Sequence, residues 1–150
     1  MSASSARKWI ELNWLRKGNK EIPLPEIVFD IIVDFGACHW PRQNDEVMVG
    51  NRFYDLTDRG LIVINQKYSD DGGWVLNSIA HEWRHACQKF HGHILHSIFP
   101  REGDYKENTI WYFKSHWWEM DALLFSLKVA PDETSTLWLE WLLEGNKCPR

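Results

Sequence analysis

A chain of 150 residues with 44% hydrophobic content is long enough for one domain with a buried core, and too apolar for a disordered segment. Net charge is −4, which excludes a uniformly basic nucleic-acid binder, although the N-terminal stretch carries charge of its own. No apolar run is long enough to cross a bilayer, and the polar, basic N-terminus has no continuous apolar h-region. The expectation is a single domain over 1–150 in the cytoplasm. Cys38, Cys87 and Cys148 are widely spaced and form no CxxC pair, so neither a disulfide framework nor a zinc knuckle is indicated. The ten tryptophans are expected mostly in the core or in cleft walls.

In chain order, residues 5–18 read as an amphipathic helix built on Trp9, Ile10, Leu12, Trp14 and Leu15. Arg7, Lys8, Arg16, Lys17 and Lys20 against Glu11 alone give the first twenty residues a local charge of +4. A solvated helix face is the plain reading of that charge, and a nucleic-acid or membrane patch is the alternative. Pro23 and Pro25 break the chain. Residues 26–35 are β-branched and apolar and read as a strand, 36–44 as a loop, and 47–54 and 61–65 as two further strands. A turn over 55–60 joins the last two. A helix is expected over 74–91, with Asp70 and Asp71 near its positive end and Gly92 as its stop. Residues 92–107 read as a loop, 108–129 as a helix ending before Pro131, and 132–144 as a last helix carrying Leu137, Leu139, Trp141, Leu142 and Leu143. Strands followed by helices make an α+β domain, a short sheet packed on the 74–91 helix and on further C-terminal helices.

That helix contains His81-Glu82-Trp83-Arg84-His85, an HExxH motif. Positions i and i+4 share a helix face, so His81 and His85 can turn their imidazoles to one metal ion. Glu82, one residue along, can reach a water on that ion without being a ligand, which suits it to general-base work. Val75, Leu76, Ile79, Ala80, Trp83, Ala86, Cys87 and Phe90 keep helical spacing around the motif, so the histidines sit on a helix with a buried side.

A catalytic zinc takes three protein ligands and a water, so a third donor is needed. His91 gives HEWRHACQKFH, a spacing that resembles the metzincin pattern, with Gln88 where that family has glycine. On an unbroken helix His91 points about 120° away from His85. Glu119, followed by Ala122, is the other main candidate, and its neighbours Trp117, Trp118 and Met120 suggest a largely buried turn. His116, His93, His96 and Asp121 are further ones.

HExxH followed by Glu119-Met120-Asp121-Ala122 resembles the gluzincin metallopeptidases, in their minimal phage-encoded or ImmA/IrrE-like form, over roughly residues 60–131. The resemblance implies a zincin-like fold with Zn2+ held by His81, His85 and Glu119, and Glu82 as general base. It also implies an edge strand at 61–65 that pairs with a protein or peptide substrate, although the apolar run alone fits a buried core strand equally well. Leu123 stands where many members carry an aspartate that orients a ligand histidine, and Asp121 lies two residues earlier. His116 and Tyr112, three and seven residues before Glu119, are the catalytic candidates for steadying the oxyanion. The alternatives are a non-catalytic zinc-binding interaction module with a Trp-rich surface, and an SprT-like DNA-associated protease that would use the basic N-terminus and a third histidine.

Overall fold

The computed structural model describes residues 3–13, 21–32, 36–92 and 116–144. Among them, Leu61–Asn65 (β5) is the strand on which the fold is organised. Successive side chains of a strand point to opposite faces, so a strand buried at all five positions needs cover on both. Ile62 and Ile64 pack into one core with Ile10 of helix α1 (Ala3–Asn13) and with Val75, Ile79 and Trp83 of helix α2 (Gly72–Phe90). Leu61 and Val63 pack into a second core with Val49 and Leu56 on the other face.

β5 lies in the middle of a three-stranded sheet. Strand β1 (Glu26–Asp30) runs parallel to it with Ile27 opposite Ile62, and β2 (Ala37–Trp40) runs antiparallel with His39 opposite Ile62. The described residues therefore form an α+β domain, a small mixed sheet with helices against it. The substrate-pairing edge expected at 61–65 is not there, because both of that strand's edges are taken. The outer strand beside α2 is β2, which falls within the expected loop at 36–44. Four residues of mixed character carry no alternation from which to read it.

The single strand expected at 47–54 is a hairpin, β3 (Glu46–Val49) and β4 (Arg52–Asp55), with Val49 opposite Arg52. Gly50 makes the reversal possible with a φ of +58°, a conformation that a side chain disfavours. The first strand stops at Asp30 rather than at 35. Asp30 accepts a hydrogen bond from the Tyr54 hydroxyl at 2.6 Å, tying it to the hairpin.

Helix α2 starts where Asp71 caps it, its side chain accepting from the Trp74 N–H at 3.0 Å. It stops where Gly92 turns to a φ of +71°. Helix α3 (Trp117–Val129) packs along α2, and α4 (Glu133–Glu144) packs on the far side of α3 through Leu123, Leu142, Trp138 and Leu139. Buried Asn77 fastens this arrangement, donating to the Ala130 carbonyl at 2.8 Å and accepting from the Ser135 hydroxyl at 2.8 Å. Residues 108–115 of the expected second helix, Tyr112, His93, His96 and Cys148 lie outside the described residues. No helix among the described residues is long and apolar enough to cross a membrane.

Candidate metal centre

Helix α3 packs along α2, and its small residues Ala122 and Ser126 are both fully buried. Their small side chains let the two backbones approach. Glu119 lies one turn before Ala122 and is carried by the same approach to the two histidines of α2. Glu119 Oε2 lies 3.0 Å from His81 Nε2, and Glu119 Oε1 lies 3.0 Å from His85 Nε2. All three side chains are largely out of solvent.

The donor atoms of the three residues lie within 4.8 Å of one another, so the group can hold a metal ion. Ligand atoms on a tetrahedral zinc sit about 3.3 Å apart, and each imidazole nitrogen lies 3.0 Å from one oxygen of the Glu119 carboxylate. Two imidazole nitrogens and a carboxylate oxygen also match the donor set of a catalytic zinc.

The same proximity sets the charge state of the metal-free group. Burial by itself lowers the pKa of His85, but the Glu119 carboxylate outweighs it, Glu82 and Gln88 add to the rise, and the result is about 9. Burial raises Glu119, yet His85 and His81 hold it well below the usual carboxylate range.

Comparison of the chain with protein-family models, with curated proteins and with solved structures gives no match. What the site can do therefore rests on its own geometry.

Glu82 is 8% exposed. Lys89, seven residues on, lies on the same helix face about 20° round the axis. Its ammonium reaches β2, 3.1 Å from His39 Nδ1 and 3.2 Å from the His39 carbonyl. Because Gly36 accepts from the Asn65 N–H, alternation turns the His39 carbonyl to the outer edge of β2. Burial lowers the Lys89 pKa, against the pull of Glu82 and Glu119.

The other candidates separate from this group. His91 caps the end of α2, exposed, with its ring edge-on to Phe90. Asp121 binds Arg84 instead, accepting from Arg84 Nε at 2.7 Å and from Nη2 at 3.2 Å. His116 is not inside a helix. It is the residue before α3, in an extended conformation, with its ring edge-on to Trp118, so its three-residue spacing from Glu119 is not a helical one. The thiols are poor nucleophiles: burial pushes Cys87 up to about 12 against the opposing pull of Arg84, and raises Cys38 well above the usual thiol range.

Gln88, singled out in the sequence only as a missing glycine, is 2% exposed and touches three partners. Its Oε1 is 2.8 Å from His85 Nδ1, and its Nε2 donates to the Trp118 carbonyl at 3.0 Å and to Asp121 Oδ2 at 2.7 Å. Its position three residues after His85 was the available signal, since i and i+3 are neighbours on a helix.

Proposed function

We propose that the chain is a zinc-dependent metallopeptidase of the minimal gluzincin-like type. Zn2+ is held by His81, His85 and Glu119, Glu82 is the general base, and the substrate is a protein or peptide. The observation that carries this reading is the convergence of His81 Nε2, His85 Nε2 and the Glu119 carboxylate within 4.8 Å, with Glu82 one residue along the same helix.

When bound, the ion supplies a Lewis acid that lowers the pKa of water and polarises a carbonyl. The two imidazoles and the Glu119 carboxylate would hold it. Glu82 accepts the proton of the attacking water on its carboxylate and delivers it to the leaving amine nitrogen, so it ends the cycle ionised as it began. Its low exposure strengthens its electrostatic contacts. His116, immediately before α3, is the candidate donor to the oxyanion. With His91 exposed at the end of α2, a three-histidine site of the metzincin or SprT-like kind has less support.

The test is cleavage of an unfolded protein substrate by the purified chain, with zinc measured on the same sample. The reading expects one zinc per chain and cleavage that a chelator abolishes and zinc restores. A chain that binds no metal contradicts it, as does a zinc-loaded chain that cleaves nothing across a broad peptide library.

A further inference from the structure

We infer that Gln88, anchored by Asp121, is the positioning residue that decides which nitrogen of His85 faces the metal. This rests on the metal-binding part of the reading above and not on peptide hydrolysis.

The argument is one of donors and acceptors. A side-chain amide has one end that only donates and one that only accepts. The end of Gln88 facing α3 lies 3.0 Å from the Trp118 carbonyl and 2.7 Å from Asp121 Oδ2, two oxygens that accept. That end must be the NH2. The carbonyl end then faces His85 Nδ1 at 2.8 Å, and an acceptor there requires Nδ1 to carry the proton. A neutral His85 is thereby left with its lone pair on Nε2, the nitrogen that points at Glu119 Oε1. At 2% exposure, Gln88 has little water with which to exchange these partners.

Asp121 is itself fixed. The Arg84 guanidinium grips both of its oxygens and lies over the Phe125 ring at 4.9 Å from its centre. The first link, His85 to Gln88, is local to α2, and the second crosses to α3 two residues after Glu119. The packing that delivers Glu119 thus also orients His85.

The far nitrogen of a metal-bound histidine commonly meets a carboxylate, a backbone carbonyl or water. Here a neutral amide stands between the imidazole and the carboxylate, and Arg84 balances the charge of Asp121. Leucine at 123 is compatible with an ordered site because this partner comes from α2.

The experiment measures zinc affinity by chelator competition, alongside 15N NMR of the histidine rings in the zinc-loaded protein. Gln88→Leu should weaken zinc by about 10–100-fold and remove the hydrogen-bonded Nδ1–H signature of His85. Gln88→Met, which keeps the length of the side chain but offers His85 no oxygen, should weaken it similarly. Gln88→Leu that folds, binds zinc within about threefold of the parent and keeps the His85 signature overturns the inference. Should Gln88→Leu fail to fold, Gln88→Met decides: zinc bound within about threefold of the parent with the His85 signature kept overturns the inference. A parent chain that takes up no zinc overturns this inference and the metallopeptidase reading together. Zinc bound with the expected variant pattern but no cleavage supports the inference and sinks only the peptidase reading.

Discussion

His81 Nε2 and Glu119 Oε2 stand 3.0 Å apart across 38 residues of chain. His81 is fixed to α2 by the core around Ile79 and Trp83, and Glu119 rides on α3 through Ala122. Glu119→Ala removes one of three donors and should weaken zinc by more than the roughly 10–100-fold that follows loss of a supporting partner. Full zinc occupancy in that variant at equimolar chelator would show that Glu119 is not a ligand.

Ala122, one turn after Glu119 on α3, is fully buried. Ala122→Leu adds methylene groups where there is no room, and should cost about 1–3 kcal/mol of stability. It should also reduce zinc affinity, because the side chain that separates the helices lies one turn from Glu119. Denaturant unfolding and chelator competition on the same variant measure both. A loss of stability with unchanged affinity would mean that the helix spacing does not set the site.

Charge coupling in the metal-free group predicts a pH dependence. Glu119, despite burial, lifts His85 from its ordinary 6.5 to about 9, so His85 contributes stability fully below 6.5 and loses it as pH rises through 9. Glu119 is held well below its ordinary 4.5, so its contribution is present above 4.5 and is lost as pH falls through the depressed value. The chelated protein should therefore show a falling melting temperature from pH 6.5 to 9. Zinc needs His85 deprotonated, so its apparent affinity should climb over the same interval with release of protons. A melting temperature independent of pH between 6.5 and 9 in the presence of chelator would contradict the coupling.

His116 makes no side-chain cap to α3, so replacing it removes no helix cap. As an oxyanion donor it should matter to turnover: His116→Ala is expected to lower kcat about 100-fold with KM and zinc content little changed. An unchanged kcat would remove His116 from the mechanism.

The α+β class and the helices were legible in the sequence, because long periodic runs such as Val75 to Phe90 have few alternative readings. Gly92 was readable as the stop of α2 and has the positive φ that such a stop uses, whereas Asp71, placed by charge near the helix's positive end, also proves to cap it through its side chain. The sheet was less legible. Ala37–Trp40 is short and mixed in character, and the 47–54 run hides its reversal at Gly50 between two apolar halves. The place of β5 in the sheet was open for a different reason: an apolar pentapeptide reads alike at an edge and at a centre, and only its neighbours decide. At the site, fixed helical spacing made the His81–His85 pair readable. Gln88 escaped notice because its partners, Trp118 and Asp121, are about thirty residues away, and only the packing of α3 brings them close.

The most direct measurement is a comparison of the parent chain with Glu82→Gln for zinc content and for cleavage of an unfolded protein substrate. Glu82 is proposed to move a proton and not to bind the ion, so the variant should keep one zinc per chain and lose cleavage by about 10²–10⁴-fold. Equal cleavage by the two proteins at equal zinc content would contradict the proposed mechanism. Loss of zinc from the variant would contradict the division of labour between Glu82 and the three donors.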